Sequence, residues 1–133
     1  MGLPARRPPR PKLQGHILVV EDDADICAMT VAVLASAGLQ VSTAADAGQA
    51  LAQVAAEKFD AIILDWNLSE ITGAGLLEAL RKTNPHLFGH SAVVTGDLMS
   101  IPGMHEAERF GRPVLAKPFR PAQLIETVSA LLA

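Results

Sequence analysis

The strongest constraint on this chain is an alternation. Short aliphatic runs recur along it, and a longer stretch with helical spacing follows each one. His16-Ile-Leu-Val-Val20 ends in acids and reads as a strand buried on both faces, as parallel strands are. Over about 24–37, Ile26, Met29 or Thr30, Val33, Leu34 and Ala37 recur at helical spacing, and Gly38 stands where a helix stops. Gln40 to Ala44 reads as a second strand, after which Asp46 can cap a helix running through Leu51, Val54 and Ala55. Ala61-Ile-Ile-Leu64 is a third buried strand, and a helix over about 74–83 stops at Asn84-Pro85. Ser91-Ala-Val-Val94 supplies a fourth strand, about 98–110 a less regular helix, and Val114-Leu115-Ala116 a fifth strand. Pro121 opens the last helix, with Leu124, Ile125, Val128, Leu131 and Leu132 on its apolar face. Five strands alternating with five helices need right-handed crossovers, so the expected fold is α/β, a doubly wound five-stranded parallel sheet with helices on both faces. Such sheets bind ligands beyond the carboxyl ends of the strands, where the strand order reverses.

Size and charge narrow the function classes. A chain of 133 residues suits one domain, and with 50% hydrophobic but only 4% aromatic residues its core must be aliphatic. The net charge of −3 argues against direct nucleic-acid binding by the whole surface. That charge is segregated. The leading MGLPARRPPRPK holds four of the nine prolines and Arg6, Arg7, Arg10 and Lys12; without those four, seven basic residues face fourteen acidic ones, leaving −7 on 13–133. Residues 1–14 read as a disordered basic, Pro-rich tail or linker, and 15–133 as the folded domain. The single cysteine, Cys27, excludes an internal disulfide, and there is no secretory leader, so a reducing cytoplasm is expected. The longest apolar run, Val31 to Ala35, is five residues, against about 20 for a membrane span, so a soluble protein is expected.

The residues at the strand ends carry the chemistry. They are Glu21 and Asp22 after the first strand, Asp65 after the third, Thr95 after the fourth and Lys117 after the fifth. Neighbouring strands lie about 5 Å apart, so these groups can converge. Three carboxylates in one place repel unless a cation joins them, and an all-oxygen set suits Mg²⁺. Lys117 and Thr95 would hold a multi-oxygen anion beside it, for which phosphoryl is the natural candidate.

These residues lie in ILVVEDD (17–23), IILDWNL (62–68), VVTG (93–96) and AKPF (116–119), in order and on the right strand ends. In this the sequence resembles the receiver domain of the two-component response-regulator family over about 15–133. The resemblance implies a flavodoxin-like (βα)5 fold with strand order 2-1-3-4-5. It implies that Asp65 is the phosphoacceptor, taking phosphoryl from a histidine kinase or a histidine phosphotransfer domain. Asp22 and Asp65 would ligate Mg²⁺ directly, Glu21 through water and Asn67 through its backbone carbonyl. Lys117 and Thr95 would contact phosphoryl oxygens, and Gly96 would offer a backbone N–H. Pro118 resembles the residue whose Lys-Pro bond is cis in the family.

Two positions depart from the family's pattern. Val114 stands where an aromatic switch residue is usual, and Ser69 where a proline is usual. Asn67 and Asp97, each two residues beyond a site residue, can hydrogen-bond water near the phosphoryl group, which predicts fast self-dephosphorylation. The new charge on Asp65 is expected to draw Thr95 inward and to move the helix at 98–110, interrupted by Pro102 and Gly103, and the fifth strand. A downstream protein would dock through that helix, the fifth strand and the last helix. The phosphodonor partner would dock on an apolar face of the first helix. No effector region follows the last helix, so the output is expected to lie in a partner, with the domain a monomer or weak dimer.

Plainer roles are expected for the rest. Asp22 or Asp23 can cap the first helix, and Asp60 and Asp46 serve turns and caps. His86 and His90 are placed in a loop by Pro85 and Gly89, which argues against a zinc site, and His16 and His105 are expected at the surface. Cys27 is expected to pack, and Met99, Ile101 and Met104 to fill core. Trp66, if exposed beside Asp65, would report cation binding by fluorescence. The alternative function is a Mg²⁺-dependent phosphatase with an aspartyl nucleophile, although Glu21-Asp22-Asp23 lacks that class's Asp-x-Asp pair. The absence of G-x-G-x-x-G and of G-x-x-x-x-G-K argues against a nucleotide-binding module.

Overall fold

In a computed structural model, residues 12–68, 72–96 and 108–133 are described. The elements are β1 (His16–Val20), α1 (Ala24–Ser36), β2 (Gln40–Ala44), α2 (Ala47–Ala56), β3 (Ala61–Asp65), α3 (Gly73–Thr83), the single-turn α4 (Pro85–Phe88), β4 (Ser91–Thr95), β5 (Val114–Ala116) and α5 (Pro121–Leu132). All four strand pairings are parallel, in the order β2-β1-β3-β4-β5. The order reverses at β1, which puts the ends of β1 and β3 side by side at the switch point.

The strand alternation decides which helix covers which face. Ile17 and Val19 of β1, with Ile63, Val94 and Leu115, pack against Leu34 of α1 and Leu124 and Val128 of α5. Leu18 and Val20, with Ile62, Leu64 and Val93, pack against Ala50 of α2 and Leu76, Leu77 and Leu80 of α3. Both faces are therefore dry, and the aliphatic runs read in the sequence are the two-sided central strands. The edge strands depart from this: β2 leaves Gln40 and Thr43 exposed, and β5 buries only Leu115.

Local side chains start the helices where the sequence expects them. Asp23 Oδ1 accepts from the N–H groups of Asp25 (2.9 Å) and Ile26 (3.1 Å), and Asp46 Oδ1 from Gln49 (2.7 Å). Each bond satisfies a helix N–H that has no carbonyl partner within the helix. Gly38 ends α1 at φ +99°, and a Cβ there would come 2.9 Å from the carbonyl oxygen of Leu13. Leu13 in turn donates its N–H to Ala37 O at 2.9 Å and packs on the α1/α5 core. Among the described residues the folded contacts thus reach back at least to Leu13, inside the stretch that composition groups with the tail; residues 1–11 lie outside the described residues.

The structure changes one sequence expectation and decides two that the sequence leaves open. Asn84-Pro85 does not lead into a loop: Asn84 Oδ1 accepts from Leu87 N–H at 3.1 Å and caps α4, with Pro85 at its first turn. On α1, Thr30 and Leu34 are the buried residues, while Met29 is 39% exposed. Thr30 can face inward because its hydroxyl donates to Ile26 O at 2.7 Å. Trp66 is buried at 6% exposure and meets Phe110 edge-on, with ring centroids 6.2 Å apart. The helix expected over 98–110, with Asp97, Met99, Ile101, Pro102, Gly103, Met104 and His105, falls on 97–107 and so lies almost wholly outside the described residues, as does Ser69.

Candidate functional site

Glu21, Asp22 and Asp65 come together at the carboxyl end of the sheet, each offering a carboxylate oxygen within 4.8 Å of the others. β1 and β3 place them, because Val20 pairs with Leu64 and the next residues leave the sheet together. Glu21 is still held by its N–H on Ala44 O (3.0 Å), and Trp66 by its N–H on Val94 O (2.9 Å). The acids therefore stand on pinned backbone. Glu21 and Asp65 are both 6% exposed, whereas Asp22 is exposed. A hard cation held here would have a protein side and an open, watered side.

Lys117 reaches this cluster from β5. Its Nζ donates to Glu21 Oε1 at 2.5 Å and to Asp65 Oδ2 at 3.2 Å. The lysine follows the last residue of β5, and its own N–H bonds Thr95 O at 2.8 Å, which ties the ends of β4 and β5 together. The Lys117-Pro118 bond is cis. Thr95, 2% exposed, closes β4, and Gly96 follows it beside Lys117. Asn67 is exposed and donates its N–H to Asp65 Oδ1 at 3.1 Å. That bond holds the Asp65 oxygen that Lys117 does not.

Two buried carboxylates sharing one ammonium leave a net negative pocket. Burial, then hydrogen bonding and repulsion from Asp65, outweigh the pull of Lys117 and push the Glu21 carboxyl up to about 7. Burial alone would lower Lys117, but Glu21 and Asp65 outweigh it and hold the ammonium above its ordinary range. Cys27, half-buried nearby, is raised by burial and by Glu21, which makes it a poor nucleophile.

One residue of the site escapes sequence reading. Gly73 opens α3, and a Cβ on it would lie 2.8 Å from both Asp65 O and Trp66 Cα. Its N–H bonds Trp66 O at 3.0 Å. Only a glycine lets α3 start against the backbone that carries Asp65. The available signal is a glycine inside a helical pattern, which points to close backbone approach. Val114, in the place of the family's aromatic residue, is half-buried and packs on the same core cluster as Phe110.

Fold and site define a phosphoacceptor domain, and comparison with known proteins agrees. The profile of the response regulator receiver domain matches residues 17–129. The chain belongs to that family, whose role in two-component signalling is to accept phosphoryl from a phosphodonor partner. The transcriptional regulatory protein PrrA of Mycobacterium leprae is 33% identical over 117 residues, covering 88% of this chain and 49% of that protein. The chain thus spans about half the length of that relative. Among solved structures, the chemotaxis response regulator CheY4 of Vibrio cholerae superposes with a TM-score of 0.81 at 32% identity, covering 90% of this chain and all of that one. NtrX from Brucella abortus superposes with a TM-score of 0.82 at 30% identity, over 90% of this chain and 27% of that one. None of these matches supports the phosphatase alternative. Among the described residues, no helix is long and apolar enough to cross a membrane.

Proposed function

We propose that Asp65 is the phosphoacceptor, that Mg²⁺ assists it, and that a histidine kinase or a histidine phosphotransfer domain is the donor. The observation that carries this reading is Lys117 Nζ forked between Glu21 and Asp65 on the switch-point edge, with Asp22 completing an all-oxygen cluster.

The donor set fits Mg²⁺. It is hard oxygen throughout, it carries more negative charge than Lys117 neutralises, and one member is open to water. Glu21, Asp22, Asp65 and the Asn67 carbonyl would hold the ion. When bound, it would neutralise the carboxylates and the phosphoryl oxygens that gather charge during transfer.

Asp65 attacks phosphorus through a carboxylate oxygen; an O–P bond forms, the P–N bond of the phosphohistidine breaks, and the departing imidazole keeps the electron pair and takes a proton. Asn67 N–H holds Oδ1 of Asp65, which leaves Oδ2, the oxygen on Lys117 Nζ, to attack. Lys117 moves from Asp65 to a phosphoryl oxygen, Thr95 donates its hydroxyl to another, and Gly96 N–H supports the third. This exchange biases β5 and the adjoining 98–110 stretch, and a downstream protein reads the change there and on α5. The domain works in the cytoplasm as a monomer or weak dimer, without touching nucleic acid.

Acetyl phosphate with Mg²⁺, read by intact mass, tests the reading. Wild type gains one phosphoryl group, and Asp65→Asn gains none. No adduct on wild type, or an equal adduct on Asp65→Asn, overturns it.

A further inference from the structure

Two imidazoles stand side by side at the other end of the sheet, where β3 and β4 begin. Sequence spacing places His86 and His90 in a loop, but the fold keeps helical pitch between them. Gly89 adopts αR dihedrals (φ −68°, ψ −11°), and the N–H groups of Gly89 and His90 bond Pro85 O and Leu87 O. Positions four apart then share one face. The ring centroids lie 4.5 Å apart with planes tilted by 38°.

The protonation pattern suits ligation. His90 Nδ1 lies 2.8 Å from His86 O. A carbonyl only accepts, so Nδ1 carries the proton and Nε2 presents its lone pair. Metal-bound histidines are held in this way, one nitrogen donating to a carbonyl and the other on the ion. Both rings line an open cavity of about 480 Å³ together with Asp60 and Gln14. Asp60 is fixed there, its Oδ2 accepting the His16 N–H at 2.7 Å.

We propose that His86 and His90 chelate a borderline divalent transition ion, represented by Zn²⁺, with Asp60, across the same cavity, joining the site through water. The surface position of His86 lets its ring adjust to the Zn–N distance of about 2.0–2.1 Å. Imidazole donors prefer Zn²⁺ to Mg²⁺, the reverse of the carboxylate cluster. The five-residue strands separate the two sites by roughly 13–17 Å, so they load independently.

Competition between the full chain and a chromophoric chelator for Zn²⁺, in excess Mg²⁺, tests this. Wild type takes up one equivalent, and H86Q/H90Q binds at least about tenfold more weakly. In imidazole nitrogen NMR spectra, Zn²⁺ shifts Nε2 of His86 and His90 and leaves His16 and His105 unmoved. An unchanged melting temperature and unchanged modification by acetyl phosphate show that the double variant is folded. Equal Zn²⁺ binding by the double variant, no uptake by wild type, or shifts confined to His16 or His105 overturn the site. Unchanged affinity in Asp60→Asn overturns the part given to the carboxylate.

Discussion

The two ends of one sheet treat polar groups in opposite ways. At the amino end the polar groups have neutral backbone partners: buried Ser91 donates its Oγ to Phe88 O at 2.6 Å, half-buried Arg112 donates Nε to Ser91 O at 3.1 Å, and exposed Asp60 accepts the first N–H of β1. At the carboxyl end, two carboxylates with 6% exposure share a single ammonium, with a third alongside. The same strands run through both ends, so the sheet does not impose the difference. The amino end is satisfied for stability, whereas the carboxyl end holds repulsion in reserve, to be relieved by a cation or redistributed by a phosphoryl group.

Removing Lys117, the cation that the described residues place at the strained end, gives the largest effect. Lys117→Met leaves Glu21 and Asp65 buried without an ammonium and is expected to cost up to about 3 kcal/mol near neutral pH, with phosphorylation strongly slowed. Chemical denaturation measures the loss. A variant as stable as wild type would mean that the carboxyl end is as well satisfied as the amino end.

A backbone contact at the carboxyl end gives the next effect. Gly73→Ala forces a methyl into Asp65 O and Trp66 Cα, at an expected cost of about 1–3 kcal/mol and with slower modification by acetyl phosphate. Gly96→Ala meets only an ordinary contact with Lys117 Cβ at 3.9 Å, so its melting temperature should stay close to that of wild type. Equal effects of the two would refute the claim that close approach at Gly73 positions the acceptor.

The pH dependence follows from Glu21. Its carboxyl lies at about 7 in the folded protein, above its ordinary 4.5, so the folded state binds that proton more tightly than the unfolded state does. The stabilisation is complete below about 4.5 and is lost as pH rises through about 7. The metal-free melting temperature should therefore fall over that window, and Glu21→Gln should flatten the fall. Mg²⁺ should restore more stability at the alkaline side than at the acidic side. A decline of the same size in Glu21→Gln would place its origin elsewhere. The smallest effect belongs to the quiet end: Ser91→Ala removes one neutral hydrogen bond, at about 1 kcal/mol, with no change in modification at Asp65.

Much of this was legible in the chain, for reasons visible in particular residues. Ile17 to Val20 and Ala61 to Leu64 announce two-sided strands because every residue is apolar, and Asp23 and Asp46 announce helix starts because their side chains act within three residues. α4 was not legible, because Pro85 stops one helix as readily as it opens another. The inward turn of Thr30 depends on a hydroxyl bond to the preceding helical turn, and the need for glycine at Gly73 depends on backbone contributed by β3. Whether Trp66 is exposed beside Asp65 could not be read locally, because its edge-on partner Phe110 lies far along the chain.

By itself the sequence determined the alternation of strands and helices, the two-faced aliphatic core and the set of acids, hydroxyl and ammonium at the strand ends. Those properties follow from local pattern and residue chemistry. Only the tertiary structure decided that Lys117 sits between Glu21 and Asp65, that burial beside Asp65 drives Glu21 to hold its proton against the pull of Lys117, and that His86 and His90 face each other. These outcomes depend on distances between residues brought together by the crossovers, or on a helical turn that spacing alone did not reveal, and burial then makes small distances energetically large.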